Sequence, residues 1–311
     1  MFAATVTSFD RPPRYDEVVD PAPRGDGEVV VDVLAAALHP RVRSQADGSH
    51  YTSGGELPLT PGIDAVGRLP DGGLVYFVAS DDAPGTMAQR AVCDVRRSLP
   101  LPEGADAVAI AAAMNPGMSS WVALRRRARL EPGQSVLVLG ATGSAGRLAV
   151  QVARHLGAGT VVAAGRDEQV LATLESLGAD VVVPLAAPDA LGEAAADVDV
   201  VLDYLWGEPA ERAMPAILRR RADRSRALAW VQIGAVAGPE IALPSAALRA
   251  ANLQVMGSGQ GSVTVAGIVA ELPGLAREID AGTFTIDARA VPLSEVETAW
   301  EPTGGRVVFV P

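Results

Sequence analysis

The chain has no lysine: all 26 of its basic residues are arginine. Chemistry through a lysine Schiff base is therefore excluded. A single cysteine, Cys93, rules out an internal disulfide framework and any zinc site needing several cysteines. Aromatic residues make up 4% of the chain, so alanine, valine and leucine must fill the cores. No run reaches the roughly 18 uninterrupted apolar residues that cross a bilayer. The opening MFAATVTSFDRPPRY lacks the basic-then-apolar order of an export signal. These features predict a cytoplasmic protein. Positive charge is also short, and the net charge is -11. Such a surface repels phosphate backbones and anionic lipid, which argues against nucleic acid or membrane as partners; a small-molecule substrate is expected. Two arginine-rich stretches, Arg125–Arg129 and Arg219–Arg226, read as solvated faces near helix C-termini, where the dipole favours cations.

What is present is apolar residue, 49% over 311 positions, enough for two domains. The first 110 residues are β-rich, with strands expected over 27–38 and 72–79. Between them lies a long irregular stretch, residues 39–62, rich in Gly, Ser, Thr and Pro, of a kind that is often functional. Residues 86–102 read as a strand leading into a proline-bounded turn. From about residue 105 the character becomes helical, with an interruption expected at Asn115-Pro116-Gly117. Strands then alternate with helices: strands at 135–140, 160–165, 179–185, 198–205, 226–234 and 252–259, and helices at 144–157, 167–178 and 211–221. Apolar strands without polar alternation, each followed by a helix, predict an α/β fold with a parallel sheet buried on both faces.

Gly140, Gly143 and Gly146 sit three apart at a strand-to-helix junction, SVLVLGATGSAG. A tight turn needs the first, close approach of a dinucleotide pyrophosphate the second, and close helix packing the third. The turn Gly140, Thr142, Gly143, Ser144, Ala145 and Gly146 is thus the expected phosphate cradle, with helix N–H groups at its end. The following strand ends at Gly165 and Arg166. A guanidinium there suits the 2′-phosphate of NADPH, where NAD binders place a carboxylate. Asp167 either caps the next helix or, one position on, reaches the ribose.

At PGIDAVGRL (61–69), AAAMNPGMSSWVAL (111–124), the glycine turn, LESLGADVVVPL (174–185) and VQIGAVAG (231–238), the chain resembles the medium-chain dehydrogenase/reductase superfamily. It is most similar to the zinc-independent quinone oxidoreductase branch. The resemblance implies a Rossmann doubly wound parallel sheet inserted into a GroES-like β-rich catalytic domain. The implied boundaries are 1–113 catalytic, 114–258 NADPH-binding, and 259–311 returning to the catalytic domain. It implies a cofactor cleft at their junction and a homodimer. Zinc members carry a cysteine and a Gly-His-Glu segment where this chain has His39 and Ile63-Asp64. His39 and Asp64 alone do not complete a tetrahedral site, so no metal is expected. The quinone oxidoreductases carry Asn-Pro and a nearby Asp where this chain reads His39-Pro40-Arg41-Val42.

The implied activity is NADPH-dependent hydride transfer to a quinone or an α,β-unsaturated carbonyl. Reduction of a C=N or C=O bond, or cofactor binding without catalysis, are the alternatives. Hydride addition to an enone gives an enolate that needs only a hydrogen-bond donor or proton source. Tyr51, in a stretch resembling the Gly-x-Tyr of enoyl reductases, and His39 are the candidate donors. His50 is expected to face solvent. Tyr204, Leu205 and Trp206 follow the fourth strand of the sheet, Gly234, Ala235 and Val236 the fifth, and Gly257 and Ser258 the sixth. Loops there line the cofactor cleft.

Overall fold

The computed structural model describes residues 1–49, 56–80, 83–259, 261–301 and 305–311. It divides into two compact units, one of Met1–Asn115 with Leu272–Pro311, the other of Pro116–Glu271.

In the first unit, β1 (Phe2–Thr5) pairs antiparallel with β2 (Arg14–Glu17). The larger sheet uses β3 (Glu28–Ala37), β4 (Asp64–Arg68), β5 (Leu74–Val78), β6 (Arg90–Asp94) and β7 (Leu99–Leu101). The midpart of β3 alternates as a half-buried strand should, with Val31 and Val33 inside and Asp32 outside. A register shift between Val33 and Ala35 then re-aims its end. Phe77, Phe309 and Met87 are the largest fully buried side chains of this core, and Cys93 is buried in it. Burial pushes the Cys93 thiol up to about 11, far from a reactive thiolate.

The second unit carries β8 (Ser135–Leu139), β9 (Thr160–Gly165), β10 (Val181–Pro184), β11 (Val200–Asp203), β12 (Leu228–Gln232) and β13 (Leu253–Gly257). All six are parallel, in the order β10-β9-β8-β11-β12-β13. This is the doubly wound order, with its switch point between β8 and β11. Val136, Leu137, Val138 and Leu139 are all at 0% exposure, as a strand covered on both faces requires. The chain then returns to the first unit, where β15 (Arg306–Val310) lies between β14 (Ala288–Pro292) and β3.

Several expectations need revision. The helix over Ala107–Val122 runs through Asn115-Pro116-Gly117 without a break. Pro116 removes a single donor, the one that would serve the carbonyl of Ala112; Ser119 and Ser120 separately donate their hydroxyls to the carbonyls of Pro116 and Gly117. By length and composition the helical stretch Ala107–Ala128 could cross a membrane, but 67% of its apolar window is buried inside the protein, as in a core helix. The expected helix at 167–178 is a short helix, Glu168–Leu171, and a separate 3-10 turn, Leu174–Leu177.

The second crossing between units lies at 271/272, not at 258/259. Glu271 explains it: its buried carboxylate accepts from Trp121, Arg125 and Arg126, all in the second unit. The arginine stretches are consequently tied down more than a solvated face would be. Arg127 donates to the carbonyls of Gly257 and Ser262. Buried Arg221 donates to those of Ala196, Val198, Arg226 and Ala227.

Candidate functional site

The strongest site of the second unit is the turn between β8 and the helix Ser144–His155. Gly140 has φ +89°, a conformation L side chains rarely adopt. Its N–H and that of Ala141 both donate to the carbonyl of Ala164, fixing the turn to β9. A Cβ on Gly146 would lie 2.6 Å from Ala141 Cα and closer still to the Gly140 carbonyl oxygen, so glycine is demanded by helix packing. Gly143 differs. It has an ordinary extended backbone, φ -75° and ψ 162°. A Cβ there would meet only the Gly140 carbonyl, at 3.6 Å. The protein does not need that space, and a ligand approaching the backbone does. The first N–H groups of the twelve-residue helix Ser144–His155 have no intrahelical partner, and its positive dipole end points the same way. The turn therefore fits a dinucleotide pyrophosphate.

Gly165 closes one side, since a Cβ there would stand 2.9 Å from Thr142 Oγ1. Arg166 follows at once. It is exposed, and among the described residues no hydrogen bond or ion pair holds its side chain. Asp167 is spent: its carboxylate accepts from the Gln169 and Val170 N–H groups as a helix cap. An unengaged guanidinium thus stands at the end of β9, and the neighbouring Asp167 carboxylate is turned to its own helix cap.

On the other side, Tyr204 and Leu205 pack against Gly140, where a Cβ would meet Leu205 Cδ2 at 3.0 Å and Tyr204 Cβ at 3.3 Å. Tyr204 is buried, and its hydroxyl is 2.9 Å from Ser119 Oγ. Burial pushes that phenol up to about 12, so it stays protonated at neutral pH. Trp206 has φ 54° and ψ -159°, a region essentially reserved for glycine. A Cβ on Gly234 would stand 2.8 Å from the Tyr204 carbonyl oxygen. Val236 is 79% exposed and Ala235 is exposed. The Ser258 N–H donates to the Gln232 carbonyl, and the Gly257 carbonyl accepts from Arg127. The turn, Gly165, Tyr204, Leu205 and Gly234 are therefore packed together at the carboxyl ends of β8, β9, β11 and β12.

The residue that holds these loops in place was not evident from the sequence. Asp203, wholly buried, accepts from the Leu205 and Trp206 N–H groups and from Trp230 Nε1, each at 2.9 Å. Its backbone carbonyl accepts from Ile233 and Gly234. One residue thus organises two loops. Desolvation raises its pKa, opposed by those three donors. The available signal was an aspartate ending an apolar run, VDVVLD.

In the first unit, His39 is buried at 3% exposure at the N-cap of the helix Pro40–Ala46. Its Nε2 lies 2.8 Å from Asp64 Oδ1, and Tyr76 donates to Asp64 Oδ2 at 2.8 Å. Burial and the adjacent Asp64 carboxylate push the Tyr76 phenol well above its ordinary value. Among the described residues no group of three or more His, Cys, Asp or Glu is placed to hold a metal. Tyr51 and His50 lie outside the described residues.

A doubly wound parallel sheet with a glycine cradle, interrupting a β-rich unit built from both chain ends, defines a two-unit dinucleotide-dependent dehydrogenase or reductase. Residues 145–280 match the family model described as zinc-binding dehydrogenase. A protein of Emericella nidulans named "probable NADPH-dependent quinone reductase" is 32% identical across all of both chains. The quinone oxidoreductase of Thermus thermophilus, solved also in complex with NADPH, superposes with a TM-score of 0.84 at 27% identity, covering all of both chains. An NADPH-dependent alkenal/one oxidoreductase of Arabidopsis thaliana is 28% identical over 51% of this chain and 45% of its own. The chain belongs to the medium-chain dehydrogenase/reductase superfamily, in its quinone oxidoreductase-like branch.

Proposed function

We propose that this protein is an NADPH-dependent reductase of quinones or α,β-unsaturated carbonyls, working in the cytoplasm as a homodimer without a bound metal. The carrying observation is the open Gly143 cradle beside the unengaged Arg166. In this reading Gly140, Thr142, Gly143, Ser144, Ala145 and Gly146 hold the pyrophosphate, and Gly165 and Arg166 the adenosine ribose with its 2′-phosphate. Tyr204, Leu205, Gly234, Ala235, Val236, Gly257 and Ser258 border the nicotinamide half. The second unit is the NADPH-binding domain and the first the catalytic domain. The names of the Emericella nidulans and Arabidopsis thaliana relatives support the cofactor and the acceptor class.

Bound NADPH supplies a hydride. The chain's own residues bind and orient it, and supply a proton donor for the enolate that hydride addition leaves on the substrate. His39 and Tyr51 are the candidates for that donor. Ile63 and Asp64, where zinc relatives carry ligands, support chemistry without metal.

The test is NADPH oxidation by the purified protein against quinones, enones, aldehydes and cyclic imines, with and without a chelator. Turnover of quinones or enones that survives chelation is expected. A stoichiometric zinc whose removal abolishes activity would overturn the metal-free part. Turnover confined to imines or aldehydes would overturn the acceptor class.

A further inference from the structure

We propose that His39, Asp64 and Tyr76 form a buried proton relay in which His39 is the acid that protonates the reduced substrate, with Asp64 and Tyr76 as its positioning residues. The inference rests on the reductase reading above and chooses between its two donor candidates.

The three residues come from three elements: the end of the segment following β3, the first residue of β4, and the middle of β5. His39 is 3% exposed, Asp64 2% and Tyr76 3%. Their sequence neighbours Leu38, Ala65, Val75 and Phe77 belong to the apolar core of the unit. An apolar trio of similar volume would suit this core, because burying a carboxylate beside an imidazole costs more desolvation than it returns in attraction unless the geometry is very good. Here it is very good. Asp64 Oδ1 takes His39 at 2.8 Å and Oδ2 takes the Tyr76 hydroxyl at 2.8 Å, so the carboxylate cannot swing. Its backbone carbonyl is pinned by Thr86 Oγ1 at 3.0 Å, and Gln45 Oε1 holds the Gly62 N–H at 3.0 Å just ahead of it. A base oriented by a buried carboxylate, itself oriented by a third group, is the arrangement that fixes an imidazole's tautomer and direction in acid–base catalysis.

The proton balance is simple. In the charged ring both nitrogens carry protons. Nε2–H is committed to Asp64, which leaves Nδ1–H as the proton to give. Hydride adds to the β-carbon of an enone, and the C=C π electrons become the enolate. The enolate takes the Nδ1 proton, and the N–H bond pair stays on the ring. The ring remains anchored through Nε2–H, and water restores its proton before the next turnover. Tyr76 keeps its own proton throughout and only holds Asp64.

Three variants test the relay. His39→Gln keeps an amide donor toward Asp64 but has no proton to transfer. Asp64→Asn and Tyr76→Phe disturb only the orientation. Each is assayed in single turnover on an α-substituted enone in D2O, following both the rate and the face on which deuterium enters the α-carbon. General-acid assistance is typically worth about 10²–10⁴-fold, so His39→Gln should lose that much. Asp64→Asn and Tyr76→Phe should lose a part of it, and all three should scramble the deuterated face while NADPH affinity stays unchanged. Loss of packing that leaves the donor in place would lower stability and keep the face. In the ligand-free protein, proton NMR should show a downfield imidazole N–H that Asp64→Asn abolishes. If Asp64→Asn does not fold, the other two variants decide by the same measures. Folded variants with unchanged rate and facial selectivity would overturn the relay. So would loss of both in Tyr51→Phe alone, run in parallel. No turnover of any acceptor by the unmutated protein would sink the reductase reading, whereas turnover with indifferent variants sinks only the relay.

Discussion

Replacing Gly143 and Gly146 by alanine, one at a time, separates the two reasons a glycine stands in this turn. At Gly143 the backbone is extended and the nearest atom to a new Cβ is 3.6 Å away, an ordinary contact. Alanine is a poorer N-cap than glycine, but it also stiffens the unfolded chain by about 0.4–1 kcal/mol. The two effects oppose each other, and stability should move by less than about 0.5 kcal/mol. The methyl nonetheless occupies the approach to the helix N–H groups. Losing one hydrogen bond to a charged phosphate costs about 1.5–3 kcal/mol, so NADPH should bind about ten- to a hundredfold more weakly. At Gly146 the methyl would sit 2.6 Å from Ala141 Cα, about 1 Å inside normal contact. The helix must shift, at an overpacking cost of about 1–3 kcal/mol, and the cradle shifts with it. Gly146→Ala should therefore lose both stability and affinity, and Gly143→Ala affinity alone. Urea unfolding without ligand and tryptophan-fluorescence titration with NADPH measure the two quantities. Unimpaired NADPH binding by Gly143→Ala would refute the cradle. A wild-type unfolding midpoint for Gly146→Ala would refute the packing account.

Arg166→Ala should remove most of the preference for NADPH over NADH, about ten- to a hundredfold, while NADH affinity stays nearly constant; equal affinities in the unmutated protein would dispose of the assignment. Asp203→Asn should lower stability by about 1–3 kcal/mol, because the amide would turn an N–H group toward Trp230 Nε1 and leave a buried donor unpaired; a neutral result in urea unfolding would contradict that account. Trp206→Gly should be more stable than Trp206→Ala by about 1 kcal/mol, since only glycine is at ease at φ 54°, ψ -159°; the reverse order would mean that the tryptophan backbone is unstrained.

Much of the second unit was legible because its signals are local. An apolar run such as Val136–Leu139 reports burial on both faces, and glycine spacing reports a turn. Asp167 is also local, and its capping role follows from the free N–H groups two and three residues on. The parts that were not legible depend on distant partners. Pro116 looked like a break, yet the surrounding helix continues because the loss of one donor is small beside the burial of Ile110, Met114 and Leu124. Asp64, Tyr76 and His39 are separated by up to 37 positions, and nothing in their flanking residues announces that β4 and β5 will bring them together. Glu271 likewise gave no sign of the three partners near residue 125 that draw it into the second unit.

The placement of β15 between β14 and β3 has a consequence for how the protein is made. Phe309 pairs with Ala36, and Val308 with Ala37, so β3 leaves the ribosome about 270 residues before its neighbour. At about 5–20 residues per second that is an interval of roughly 15–50 s. The second unit, contiguous in sequence, has all its strands available while Ala36 and Ala37 at the end of β3 still lack their partner strand. The later-synthesised unit is thus able to fold first, and the earlier one must be kept from pairing with neighbouring chains until β15 arrives. The nascent protein is accordingly exposed to aggregation at the end of β3, and a cell lacking chaperone capacity should lose it during translation more than after release.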